Sequence, residues 1–542
     1  MRAHRWRDWF FAVLLHAPVL VPLIAHYSPA EGDPRIPTGS IQYDQPYYMA
    51  NARQYLDGAT NGLLYALPFS ADPDSRPIHF QPQTILFAAI WWITDMDPGL
   101  LFSLFGVVFG ILCVVMTLTV LREVLPEQLH SRWIELLFIW GGGVLCVGGV
   151  VYGLLHGEGL EGSWIRAFRF DPANGYWFMN LGRNLIFPLE AYYHFLFFSI
   201  ILLVIRGRFA GAFVVTVILA LSHPFTGIAT VAMLTLWSLL SRRSISSQRA
   251  PWWFVGCNAL LLGLILFQHA VLLPRDPEHA ILVAQWTRPW IVEPISTIGA
   301  YALVAALTLI RILRPGGFPL RASRSSMLLV VWVVVWLALE NHDLFMTAIQ
   351  PAHFTRGYAW AGLFLLGAPV LARWFARLRS STWRWPVLGL VTALFLTDNA
   401  AWLGKRTVEF HNGAGEAINL TPDLKEVLDR LAKIPSGNSL VVADDPMVAY
   451  LALVYTPHRT YYSHRSNTPW ADQRHRSLND FFDGRITDPL LSGELIVVHY
   501  KSAREFVFAR NAKVLFSNSS YEVFALQKDS GRDAPEQPLL NE

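Results

Sequence analysis

The sequence predicts a polytopic α-helical membrane protein with a C-terminal extracytoplasmic α/β domain, and three observations predict it. Hydrophobic residues fill 53% of the 542 positions and charged residues only 15%, with 21 tryptophans and 34 phenylalanines. The mean hydropathy of +0.34 is above that of an ordinary soluble domain. Apolar runs of ~20 residues, the length of a helix across the hydrocarbon core, recur up to Leu403. Charge is also partitioned. Up to Gly404 there are 27 basic residues, all arginine, against 22 acids, whereas the last 138 residues carry 16 and 18. Residues 1–404 therefore read as a membrane domain, 405–527 as a polar extracytoplasmic α/β domain and 528–542 as a disordered tail. A single soluble enzyme is excluded. A net charge of +3 is too balanced to imply a nucleic-acid partner.

Spans are expected near Trp9–Tyr27, Gly99–Leu121, Trp133–Leu155, Leu185–Ile205, Trp252–Leu273, Ile295–Leu313, Ser326–Asn341, Tyr358–Phe375 and Trp385–Leu403. The stretch Phe209–Leu240 is too long for one span, and Ser222-His223-Pro224 interrupts it. Proline removes a helical donor and disfavours helix at the residue before it, so two short helices turning at His223-Pro224 are expected. The total is about 11 membrane helices. Arg2, Arg5 and Arg7 precede the first run without a small-residue cleavage pattern, which reads as a retained signal-anchor. Cys113, Cys146 and Cys257 all lie in apolar runs and read as small core residues.

With the N-terminus in the cytoplasm, the inner segments hold eighteen arginines and the outer segments nine, as the positive-inside rule requires. The expected location is the inner, cytoplasmic membrane, with the C-terminal domain periplasmic. In that domain Thr421-Pro422-Asp423 opens a helix with a cap, a first-turn proline and an acid. Ser439–Ala443 and Glu494–His499 read as strands, Met447–Tyr455 and Ala471–Phe482 as helices, and Lys513–Leu526 as a closing hairpin. Asp444-Asp445 and His458, His464 and His475 match no standard metal-ligand spacing and read as solvated polar residues.

The first outer loop, residues 28–80, carries Tyr43-Asp44-Gln45-Pro46-Tyr47-Tyr48. After Pro46 the pattern suits an interfacial helix lying along the bilayer, with Tyr47, Tyr48 and Tyr55 at headgroup level. Asp44 sits just before it, where the helix dipole favours an ionised carboxylate. Such a group suits a general base acting on a hydroxyl, or a simple helix cap. Arg356, at the outer start of a span, suits a phosphate clamp through its planar fork, or a headgroup-snorkelling arginine. Arg183 precedes another span. Glu190, an acid at membrane depth, marks a functional-site candidate, with Arg183 or an interhelical cation as partner. His223 at the helix break lines a cavity or satisfies carbonyls freed beside Pro224. His353 and His79 suit sugar hydroxyls or loop caps. Trp164, Trp177, Trp286 and Trp290 fall in outer loops as anchors or stacking platforms.

The segment Tyr43–Tyr48, with Ala50, Arg53 and Gly58, resembles the first-loop motif of the GT-C superfamily of membrane glycosyltransferases. His223-Pro224-Phe225-Thr226 and Pro351-Ala352-His353-Phe354-Thr355-Arg356 resemble elements of bacterial members, and the overall plan is similar. The resemblance implies a GT-C-like fold and a polyprenyl-phosphate-linked sugar donor. It also implies a lipid, glycan or protein acceptor and contact with membrane lipids. Asp44 is the implied catalytic base, and Arg356, Arg183, His223, Tyr47, Arg53, Glu190, His353 and His79 are candidates for donor or substrate binding. Members often show two adjacent acids in this loop, whereas Gln45 follows Asp44 here. Asp57, Asp72 and Asp74 thus stay open as assisting groups, and the sequence does not support a divalent metal. A lipid-linked substrate transporter or flippase, or a non-catalytic subunit of envelope polysaccharide assembly, shares the topology.

Overall fold

Proline opens many of the long helices, at Pro98, Pro188 and Pro294 among others. At that position its missing N–H is one the helix would leave unpaired anyway. The structure is a computed structural model that describes residues 2–170, 179–241, 250–286, 290–314, 324–378, 380–437, 439–485, 494–502 and 512–526. Trp177, the side chain of Trp164 and the stretch from Lys528 onward lie outside the described residues.

Eight described helices are long and apolar enough to cross a membrane: Trp6–Tyr27, Pro98–Val124, Pro188–Ile205, Pro224–Ser241, Trp252–Arg275, Pro294–Leu313, Tyr358–Leu378 and Arg384–His411. The pair Arg132–Trp140 and Leu145–Leu155, bent by 66°, passes the same test when its two halves are taken together. Two shorter apolar helices, Phe209–Ser222 and Ser325–Glu340, occupy the remaining two stretches that hydropathy selects. Phe209–Ser222 folds back on its successor at His223. A side chain at Gly227 would come within 2.5 Å of the Ala220 Cα, so only glycine lets the two helices meet there.

The break at Gly141–Gly143 exposes backbone groups at membrane depth, where each must find a protein partner. The last long helix supplies them. Leu145 N–H and Cys146 N–H donate to the Asp398 carboxylate at 3.0 and 2.9 Å, and Gly142 N–H donates to Phe395 O at 2.7 Å. Asn399 Nδ2 donates to Trp140 O at 2.8 Å. Asp398 thus caps a helix other than its own. Asp398→Ala leaves two buried N–H groups unpaired, each costing about 1–3 kcal/mol. A lowered thermal unfolding temperature in detergent is the expected result.

At one end of the bundle Arg122 bridges Asp8 and Glu135 at 2.8 and 2.7 Å, and Arg132 bridges the same acids at 2.9 and 2.6 Å. Arg206 meets Glu123 at the same end. The opposite end carries the first loop, the His223 turn and the C-terminal unit.

That unit is a five-stranded sheet in the order Arg459–Thr460, Leu440–Ala443, Leu495–Tyr500, Tyr521–Leu526, Lys513–Ser517. The first three strands are parallel and the last two antiparallel. Thr421 accepts Leu424 N–H as the expected cap, and Asn518 Oδ1 accepts Ser520 and Tyr521 N–H in the closing turn. The unit is built into the membrane part. Ile36–Pro37 of the first loop pairs with Asn419–Leu420, and Tyr450, Leu453 and Val454 share one apolar core with the membrane helices.

Candidate active site

The first-loop helix, Gln45–Leu56, is packed into the protein on one face. It buries Gln45, Pro46, Met49, Ala50, Asn51 and Ala52 between membrane helices and the C-terminal helix Pro446–Tyr455. Its tyrosines have protein partners instead of headgroups. Tyr47 stacks on Phe69 with centroids 5.5 Å apart, Tyr48 stacks on Phe102 at 6.1 Å, and the Tyr55 hydroxyl donates to Leu63 O. Tyr450 secures the helix start by accepting Tyr47 N–H at 2.8 Å and donating to Tyr43 O at 2.9 Å.

Because Tyr450 does that work, Asp44 is released from it. Asp44 occupies the capping position with φ −81° and ψ −6° and makes no side-chain cap hydrogen bond. Its side chain is 55% exposed, and Oδ1 lies 2.9 Å from His464 Nε2. The reading of Asp44 as only a helix cap is therefore excluded. So is the reading of His464 as a solvated surface residue, since its side chain is 2% exposed.

Arg356 lies in a sharp turn before the span Tyr358–Leu378. Its φ is +29°, and the following Gly357 has φ +76°. That backbone is strained for a non-glycine residue and turns the guanidinium inward. The side chain is 8% exposed and forms an ion pair with Glu190 at the first turn of Pro188–Ile205. It also donates to His353 Nδ1. Burial pulls the Arg356 guanidinium below its ordinary value, against smaller opposing interactions with Tyr48, Tyr358 and the Asp44 carboxylate. His353 is pushed down to about 4 by burial, against a smaller opposing pull from Asp44, so it faces Arg356 as a neutral acceptor. The Tyr48 phenol lies in the fields of both Arg356 and Asp44. Asp44, Tyr48, His353, Arg356 and Glu190 thus form one neighbourhood.

His223 borders it. Its ring stacks on Tyr193 at 4.7 Å and lies 6.5 Å from His353. Its Nδ1 accepts Thr226 N–H at 3.3 Å, so it satisfies a freed donor at the start of the second hairpin helix, not a freed carbonyl.

Three other residues are committed elsewhere. Arg183 does not pair with Glu190: its Nε donates to Asn399 Oδ1 at 2.6 Å and its guanidinium lies over Trp402 at 5.6 Å. It thereby steadies the residue that repairs the helix break. Arg53 binds Asp57 at 3.1 Å and donates to Val454 O at 3.1 Å, tying the first-loop helix to the C-terminal unit. His79 forms an antiparallel bridge with Tyr65.

Burial, then His279 and His269, push His79 down to about 3, and burial pushes His279, 5.5 Å away between ring centroids, down to about 4. The fold keeps both neutral where the unfolded chain takes up protons. Their contribution is complete above the ordinary histidine value of 6.5 and is lost as pH falls below it. Thermal unfolding in detergent should therefore move to lower temperature between about pH 7 and about pH 5. His279→Leu should reduce that shift by its own share and leave that of His79 and His353.

Asp57 is taken by Arg53, and Asp72 and Asp74 sit in a turn of their own, so none supplies a second carboxylate beside Asp44. Among the described residues no group of three or more His, Cys, Asp or Glu side chains is arranged to hold a metal ion.

Comparison with known proteins places these observations beside solved structures. An oligosaccharyltransferase from Archaeoglobus fulgidus, crystallised with a tethered acceptor peptide, is similar over 83% of this chain and 64% of its own. The identity is 12% and the TM-score 0.47, and this chain thus spans less than two thirds of that protein's length. ArnT from Cupriavidus metallidurans, bound to undecaprenyl phosphate, is similar over 95% of this chain and 97% of its own, at 11% identity and TM-score 0.49. The apo state of that protein gives 97%, 98%, 12% and 0.47 in the same order. No protein-family model and no curated protein matches the sequence.

Proposed function

We propose that this chain is an integral-membrane glycosyltransferase that moves a sugar from a polyprenyl-phosphate donor to an acceptor hydroxyl at the outer membrane face. The observation that carries the proposal is a carboxylate at a helix start that caps nothing, stays exposed, and acts through its charge on a buried arginine at the same end of the bundle. The first-loop resemblance to GT-C enzymes supports the same reading, with a GT-C-like membrane domain at residues 1–404. The positive-inside rule assigns the Asp8–Arg122–Arg132–Glu135 end to the cytoplasm and the Asp44 end to the periplasm.

The chemistry follows from the residues. The donor's isoprenoid tail lies in lipid and its phosphate meets Arg356, whose fork matches phosphate oxygens. The acceptor hydroxyl attacks the anomeric carbon and passes its proton to Asp44. The bond from that carbon to the phosphate oxygen breaks on the opposite side, so the anomeric configuration inverts and polyprenyl phosphate leaves. Phosphate is a competent leaving group, so one base and one cation suffice for the step. Glu190 neutralises the guanidinium until phosphate arrives, and His353 holds its direction.

The test is release of polyprenyl phosphate by the purified protein from a panel of radiolabelled undecaprenyl-phosphate sugars, with a cell-envelope extract as acceptor. Acceptor-dependent release of the lipid phosphate is expected. Binding of the panel without turnover would favour a transporter or a non-catalytic subunit.

A further inference from the structure

We infer that His464, supplied by the C-terminal unit, is a positioning residue for Asp44: it holds one carboxylate oxygen so that the other faces the acceptor hydroxyl. The inference rests on the reading of Asp44 as the base.

A carboxylate before a helix ordinarily turns back onto the helix's own N–H groups. Asp44 does not, so its direction is set by another group. His464 Nε2 lies 2.9 Å from Asp44 Oδ1. The other ring nitrogen, Nδ1, accepts N–H from Ser466 at 3.1 Å and from Asn467 at 3.2 Å. Accepting at Nδ1 assigns the ring hydrogen to Nε2, so His464 donates to Asp44. The imidazole is fixed by its neighbours, with ring centroids of Tyr43, Tyr450 and Phe69 at 4.6, 5.1 and 5.8 Å. A fixed buried donor meets an exposed acceptor, so the ring orients the carboxylate and not the reverse.

The turn that carries His464 is also tied to the Arg356 loop. Trp286 Nε1 donates to Ser466 O at 2.7 Å, and Gln350 Nε2 donates to Trp286 O at 2.7 Å. Gln350 immediately precedes the turn Pro351–Phe354 that bears His353. One tryptophan thus spaces the base against the cation, and the C-terminal unit completes the site.

The experiment compares full-length His464→Phe, His464→Gln, Asp44→Asn and the Asp44→Asn/His464→Phe double variant in the lipid-phosphate release assay, with thermal unfolding measured for each. Phenylalanine keeps the ring packing and removes the donor, whereas glutamine places an N–H near the Nε2 position. His464→Phe is expected to lower kcat about 10–100-fold, as loss of alignment does. Its donor KM should stay within about twofold, and glutamine should restore most of the rate. In the Asp44→Asn background His464→Phe should cost nothing further, because the two act as a unit. Wild-type kcat in His464→Phe with an inactive Asp44→Asn overturns the role of His464 alone, whereas an active Asp44→Asn overturns the base reading itself. Equal loss in Phe and Gln variants, with lowered unfolding temperatures, makes His464 a packing residue and overturns positioning. Should His464→Phe not fold, His464→Asn replaces it, since its amide nitrogen falls short of Asp44. Asparagine as active as glutamine then overturns the inference.

Discussion

Asp44→Asn lowers sugar transfer about 10²–10⁴-fold, the range expected for loss of a general base, while the protein folds and purifies as the wild type does. Both halves follow from the structure. The Asp44 carboxylate makes no cap hydrogen bond to the helix it precedes, and the helix start is secured by Tyr450. An amide of the same shape therefore disturbs little. What it loses is the basic oxygen pair. Donor binding should persist, because the phosphate contact belongs to Arg356, so the loss should appear in kcat rather than in donor KM. Transfer rates and thermal unfolding of the two proteins, measured side by side, check this.

Arg356→Met should act on both stability and binding, and a second substitution separates the two. Glu190 is 6% exposed, and its ion pair is with Arg356. Removing one partner of a buried pair leaves an uncompensated charge and costs about 3–5 kcal/mol, so Arg356→Met should unfold at a clearly lower temperature. Glu190→Gln/Arg356→Met removes the stranded charge and should recover most of that stability. It should not recover affinity for polyprenyl phosphate. A double variant with wild-type donor affinity would show that Arg356 is only a structural ion-pair partner. Arg356→Lys keeps charge but not the planar fork, and should fall between the two in donor binding.

The membrane plan was legible because hydropathy is a local property. The expected spans coincide with the eight long helices, the bent pair and the two short helices, and the turn at His223-Pro224 follows from the chemistry of proline. In the C-terminal unit the strands and helices lie within a residue or two of their expected bounds for the same reason. Pairing across the fold was not legible. By sequence Glu190 has Arg183 or an unnamed interhelical group as partner, and only packing shows that Arg356 takes it while Arg183 goes to Asn399. Tyrosines after a membrane span fit a headgroup belt as well as a protein core. The covering helix Pro446–Tyr455 decides the matter, and it lies some four hundred residues away (Tyr47 to Tyr450 is a separation of 403). His464 meets Asp44 across 420 residues, with no motif to announce it. Asp398 was hidden within an otherwise apolar run, where its one signal is that an acid at membrane depth needs a reason.

The most direct test of the central claim, that one pocket joins a base to a lipid-phosphate clamp, is an experimental structure of the purified protein with undecaprenyl phosphate. Phosphate oxygens within hydrogen-bonding distance of the Arg356 guanidinium are expected, with the open oxygen of Asp44 facing the same bound lipid. A phosphate bound elsewhere, with Arg356 still on Glu190 and Asp44 facing solvent, would contradict it.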